Sequence, residues 1–163
     1  MTNWSIRKAV VALAAMLTLV LLLGPNVSAA SARADEQARI VVYLIKASDG
    51  SPGVDPEIRS IVKQFGGAFR YSSYRLVSKI PKSVPMGGDV RIALPGSREM
   101  RVYANGRENN RIRLKIRVKE KSVQGREREI LNTEFRIVEG GTIMIGGYNY
   151  HDGKLMVAIS ADM

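Results

Sequence analysis

The chain has 163 residues, 45% of them apolar and 25% charged, with 25 basic against 15 acidic side chains and a net charge of +10. This composition suits one globular domain and excludes a disordered chain. The absence of cysteine excludes disulfides, thiol chemistry and a lipid-modified cysteine anchor, and with a single histidine no Cys/His zinc site can form within one chain.

Residues 1–34 read as a secretory signal. Arg7 and Lys8 give a positive start, Ala9 to Leu23 is a weakly polar to apolar run, and Gly24-Pro25 breaks any helix. Ala32-Arg33-Ala34 supplies an A-x-A cleavage site before Asp35, and Val27-Ser28-Ala29 a second one. The apolar run is short for a membrane span of ~20 residues. The expected product is a single domain, residues 35–163, exported to the periplasm or beyond the cell. Removal of Arg7, Lys8 and Arg33 leaves it 22 basic and 15 acidic side chains, a charge of +7. In such a compartment that charge favours anionic glycan, lipid head groups or an acidic protein face, and not nucleic acid.

The first strand is expected at Ala38 to Lys46, almost continuously apolar and β-branched, hence central and covered on both faces. Ser48 to Gly53 is a loop by composition. One helix is expected at 55–66. Asp55 is a capping residue, Pro56 suits the first helical position, and Ile58, Ile61, Val62 and Phe65 form an apolar stripe. Gly66-Gly67 ends it. A second strand is expected at 73–80; a parallel pairing with the first would make a right-handed crossover. Pro81 and Pro85 then bracket a loop. Further strands follow at Asp89 to Leu94 and around Met100 to Ala104, with turns at Pro95-Gly96 and Asn105-Gly106.

The most distinctive stretch comes next. Arg111, Arg113, Lys115, Arg117, Lys119 and Lys121 alternate with Ile112, Leu114, Ile116 and Val118. On a strand this pattern makes one cationic and one apolar face. At ~6.7 Å per two residues the six cations form a row on the order of 33 Å long. After a polar turn at Ser122 to Gly125, Leu131, Thr133, Phe135 and Ile137 alternate with polar residues. A four-residue turn would pair Lys121 with Arg126, Ile112 with Phe135, Ile116 with Leu131 and Arg113 with Glu134. Thr142 to Tyr150 and Lys154 to Ala161 form a last hairpin about His151-Asp152-Gly153. The expected fold is α+β: a mostly antiparallel, twisted sheet of seven to eight strands, sandwich-like or curled, with one helix.

Signs of catalysis are sparse. His151 lies in a turn, where a solvated polar role is expected, and no G-x-S-x-G motif is present. Asp49 and Asp55 lack the dense oxygen spacing of a calcium loop. Glu127, Glu129, Glu134 and Glu139 lie among arginines and are expected to pair with them across the sheet. Tyr71, Tyr74, Tyr148 and Tyr150 are expected to close the rim of the core. No enzyme, metal or cofactor is expected.

Gly140-Gly-Thr-Ile-Met-Ile-Gly-Gly147 resembles the G-x-T-x-x-I-G-G strand near the end of the conserved region of bacterial secretins, the outer-membrane secretion pores. Glycine, threonine and the double glycine match in spacing over these eight residues. The chain is too short for a secretin's barrel and ring-forming domains, so the likeness implies a β-rich envelope protein, an accessory of a secretion or pilus machine. The order signal, strand, helix, strand, antiparallel strands is similar to that of small exported bacterial proteins. Two functions follow as expectations. One is a non-catalytic envelope protein acting by protein binding or assembly. The other is a binder of anionic glycan or lipid surface through Arg111, Arg113, Lys115, Arg117, Lys119 and Lys121. Arg98, Arg101, Arg107, Arg126, Arg128 and Arg136 would strengthen the second if they share that face.

Overall fold

The computed structural model describes residues 36–65 and 67–163. The signal sequence, both cleavage sites, Asp35 and the helix-ending Gly66 lie outside the described residues. Among the described residues nine strands are present, not seven or eight: β1 (Gln37–Ser48), β2 (Gly53–Val54), β3 (Ser73–Pro85), β4 (Asp89–Leu94), β5 (Arg98–Glu108), β6 (Arg111–Lys121), β7 (Glu127–Val138), β8 (Thr142–Tyr150) and β9 (Gly153–Asp162). The extra strand, β2, lies at the end of the expected loop and pairs in parallel with the start of β3. A 3-10 turn at Pro56–Ile58 leads into α1 (Arg59–Phe65), the one α-helix among the described residues.

The strands form two sheets, ordered β2-β3-β1-β9-β8 and β4-β5-β6-β7. One buried core joins them. It takes Ala38, Ile40, Val42 and Leu44 from β1, Val157 and Ile159 from β9, Met100 and Val102 from β5, and Ile112, Leu114, Ile116 and Val118 from β6. At ~25 cal/mol per Å² of apolar area, this shared core is the main cohesive element between the sheets. The other face of the first sheet carries a second cluster, where Ile58 and Ile61 pack with Ile45, Ala47, Tyr74, Met156 and Ala158. β1 is therefore central and covered on both faces, as its unbroken apolar sequence requires.

Several local expectations are corrected. β1 and β3 run antiparallel, so there is no parallel crossover between them. The segment from Pro81 to Pro85 is strand, not loop. Pro81 pairs with Val41 and Pro85 with Gln37, while the Met86 N–H donates to the Glu36 carbonyl. The bonding groups toward β1 thus fall on even-numbered residues, and the odd-numbered prolines turn their missing N–H outward, where β2 has already ended. Asp55 makes no side-chain cap to the helix. Its carboxylate instead accepts from the Leu76 N–H at 2.7 Å and from Arg75 Nη1 at 3.1 Å, tying the helix entry to β3. Asn105-Gly106 is not a turn. Gly106, at φ 133°, sits at a bulge inside β5, and the hairpin reverses at Asn109-Asn110, with Asn109 at φ 55°.

A bulge in β3 leaves Val77 unpaired between Ser78, opposite Leu44, and Leu76, opposite Ile45. It swaps the strand's facing, so Tyr74 and Leu76 reach the helix-side cluster while Ile80 and Val84 reach the core between the sheets.

Candidate functional site

The outer face of the four-stranded sheet is the candidate site. β6 supplies its axis because alternation buries Ile112, Leu114, Ile116 and Val118 completely and turns the odd-numbered cations outward. Arg111, Arg113, Lys115, Arg117, Lys119 and Lys121 all lie on this one face, on a strand with neighbours on both sides.

The partner of β6 is displaced from the expected register. Lys121 pairs with Glu127, Ile112 with Ile137, Ile116 with Thr133 and Arg113 with Arg136. One residue of the displacement comes from the turn, which spans Ser122 to Arg126 and closes through the Ser122 N–H to the Arg126 carbonyl at 2.9 Å. The other comes from a bulge that leaves Ile130 unpaired between Glu129, opposite Lys119, and Leu131, opposite Val118. Two single-residue shifts cancel in side-chain facing, so Leu131, Phe135 and Ile137 still reach the core.

Adjacent strands lie ~4.8 Å apart, so the ladder arranges the outer face in transverse rows. One row reads Asp89, Tyr103, Lys115, Glu134 across the four strands. The next reads Arg91, Arg101, Arg117, Asn132, and the one after it Ala93, Glu99, Lys119, Glu129. The first and third rows mix signs. The middle row places three arginines directly beside one another. Arg113 and Arg136 form a second like-charge pair farther along.

The β7 half of the face is partly neutralised. Arg117 donates to Glu129 through Nε at 2.6 Å and Nη2 at 2.5 Å, and Lys119 to Glu127 at 3.1 Å. These contacts hold the Glu129 and Glu127 carboxyls below the usual carboxylate range. Arg101 donates to the Tyr103 hydroxyl at 3.4 Å and lies 3.6 Å from Glu99 and 3.9 Å from Asp89. The Arg101 hydrogen bond, followed by burial and a bond from Arg117, leaves the Tyr103 phenol net below its ordinary range. Among the described residues, Arg91, Arg111, Arg113, Lys115, Lys121 and Arg136 have no ion-pair partner. The Arg113 Nε is shielded from solvent without a hydrogen-bond acceptor, while its Nη2 donates to the Asn105 carbonyl at 3.4 Å.

A depression of about 660 Å³ lies on this face, lined by Arg91, Arg98, Arg101, Arg117, Lys119 and Lys121, by the carboxylates Glu99, Glu120 and Glu127, and by Tyr103. Cations outnumber carboxylates in it, and its guanidinium and ammonium groups are the kind that meet anions. Among the described residues no group of three or more His, Asp and Glu side chains is placed to hold a metal ion.

Of the additional arginines, Arg101 and Arg136 share the cationic face, and Arg98 reaches the depression on it. Arg98 points to the rim of the core. It binds Glu120 through Nη2 at 2.7 Å, donates to the Pro95 carbonyl, and lies 5.2 Å from the Tyr148 ring centre. Arg128 joins it on Glu120 at 3.2 Å, Arg107 pairs with Glu139, and Arg126 sits in the turn. The expected pairing of Glu134 with Arg113 is not found, since Glu134 lies opposite Lys115; Glu139 pairs with an arginine as expected, Arg107. The tyrosines close core rims as expected. Tyr148 and Tyr150 pack on the core between the sheets, and Tyr74 packs edge-on to Tyr71 while donating to the Phe69 carbonyl. His151 lies in the β8–β9 turn at φ 52°, against Tyr150.

The sequence reading missed Arg91. Its signal was present, since Asp89, Arg91 and Ala93 alternate with Val90, Ile92 and Leu94. What the sequence lacked was the strand order that sets Arg91 beside Arg101. No family model matches the chain, and neither a curated protein nor a solved structure is detectably similar to it.

Proposed function

We propose that this is an exported, non-catalytic binding protein that docks an extended anionic glycan of the cell envelope on the outer face of its four-stranded sheet. Export is supported by the positive start, apolar run and A-x-A sites of residues 1–34. Of the two expected functions, the geometry favours the polyanion binder.

The observation that carries this reading is the row Arg91, Arg101, Arg117. Like charges directly opposite on neighbouring strands destabilise a sheet, and the rows on either side show the cheaper solution of mixed signs. A soluble outer face needs charge but not three arginines abreast. An anion seated over them converts mutual repulsion into shared attraction. The lengthwise row of β6 crosses this transverse row at Arg117, so successive sulfate, phosphate or carboxylate groups along a polymer can each meet a cation.

The test is retention of the purified protein on heparin and on isolated cell envelopes across a salt series. Anionic lipid vesicles serve as the comparison arm. Retention on heparin and envelopes should fall steeply with salt, and Arg91→Gln with Arg101→Gln should weaken it and lower the log–log salt slope by roughly one per lost contact, as counterion release requires. Retention unchanged by the double substitution would sink the reading. Retention on vesicles equal to that on glycan would move the ligand from glycan to lipid head groups.

A further inference from the structure

We propose that β8 pairs with the β8 of a second copy of this chain, antiparallel about a two-fold axis, so that the five-stranded sheet continues across a dimer. The two sheets have four edges, and they are not equivalent. The β3 edge carries Pro81 and Pro85 with their absent N–H groups turned outward. β4 is short and carries Asp89 and Arg91. β7 carries Glu127, Arg128, Glu129, Glu134 and Arg136 and is bent by the bulge at Ile130. Each is a recognised way to prevent a sheet edge from recruiting another strand.

β8 has neither of the chemical blocks. Its nine residues, Thr142–Tyr150, contain no proline and no charged side chain. From Gly140 to His151 the chain has no Asp, Glu, Lys or Arg, its longest such stretch among the described residues. The strand lies beside β9, whose Leu155 to Ile159 are all buried, so the unpaired edge borders the most covered part of its sheet. The Ala161 N–H donates to the Gly141 carbonyl, which puts the odd-numbered residues of β8 in bonding contact with β9. Ladder alternation then directs the backbone groups of Thr142 and Met144 outward. Their donors and acceptors are a template for one more strand. A bulge between Gly146 and Tyr148 limits the regular segment to its first half.

Charge selects a second copy as the occupant. Self-pairing through the charged β7 can set like charges opposite one another, as Arg128 against Arg136 or Glu127 against Glu129. The neutral β8 opposes none, and in a two-fold pairing it is its own complement. Ile143 packs toward the core between the sheets and Met144 toward the helix-side cluster, and both are only half-covered. The same residues of a second copy would cover them on both faces. Because β8 belongs to the sheet without the cationic face, the pairing leaves both cationic faces open.

The chain lacks cysteine, so single cysteines report cleanly. Thr142→Cys, Ile143→Cys and Met144→Cys would be oxidised separately, with Ser83→Cys on β3 and Arg128→Cys on β7 as edge controls. A two-fold pairing brings one β8 position opposite its own copy within disulfide reach. Disulfide dimer should therefore form fastest at one β8 position and slowly at both controls. In parallel, sedimentation of the cysteine-free protein should show a monomer–dimer equilibrium that Met144→Lys shifts toward monomer by about tenfold. β8 cysteines that crosslink no faster than the controls would overturn the proposal. So would a monomer at every concentration, which would leave the edge for a foreign strand. If Met144→Lys fails to fold, the cysteine series still decides.

Discussion

The bulge at Ile130 makes a quantitative prediction, because it is the residue that restores the facing of β7 after the five-residue turn. Deleting Ile130 removes the unpaired residue and leaves every ladder pair intact: Lys119 stays opposite Glu129 and Val118 opposite Leu131. The loss is the partial burial of one isoleucine, about 1 kcal/mol if half of a ~1.5–3 kcal/mol side chain is forfeited. Deleting Thr133 has a different consequence. The bulge can straighten to absorb it, which keeps the pairs from Glu134 onward. Ile130 then takes the inward place opposite Val118, Leu131 turns outward, and Asn132 takes the inward place of Thr133. A Leu-to-Ile exchange in the core at under ~1.5 kcal/mol and a desolvated amide at about 1–3 kcal/mol give roughly 2–4 kcal/mol. That is a large share of the ~5–15 kcal/mol by which a domain is stable. Equilibrium unfolding in urea would compare the midpoints at unchanged slope. Equal destabilisation by the two deletions, or a larger effect from deleting Ile130, would refute the account of the register.

Two further predictions concern charge. Asp55 is held below the usual carboxylate range, first by the Leu76 N–H and then by Arg75. A group whose folded pKa is depressed adds stability above its unfolded pKa and loses it as pH falls through the folded value. The advantage of the wild type over Asp55→Asn should therefore be full near neutral pH and vanish in acid, as followed by thermal melting across pH. The second concerns Arg91, which faces Arg101 and has no ion-pair partner among the described residues. Arg91→Gln should leave the melting temperature unchanged or raised while weakening retention on heparin; a clear fall in melting temperature would mean that Arg91 serves the fold.

What the sequence made legible was what depends on one strand alone. The period-two alternation of Arg111 to Lys121 specifies a face without reference to any neighbour, and all six cations are found together on it. The apolar run of β1 likewise announces cover on both sides. Properties of pairs were not legible in this way. Asn105-Gly106 has the composition of a hairpin turn, yet the chain spends that conformational freedom on a bulge and reverses three residues later. Ile130 and Val77 have nothing in their local sequence to mark them as unpaired, because a bulge answers a facing demand set elsewhere, by a turn length or by two different cores. The arginine row is the same kind of property. Arg91, Arg101 and Arg117 are 10 and 16 residues apart in the chain, and each sits in an ordinary alternating strand. Only the order β4-β5-β6, with its register, makes them neighbours. A sheet that merely needed solubility could have set glutamate opposite any one of them at no cost to its alternation. Arg117 and Arg101 draw their counter-charge diagonally, from Glu129, Glu99 and Asp89, and Arg91 is the member of the row left without an ion-pair partner among the described residues, which is why the proposed anion site is tested there first.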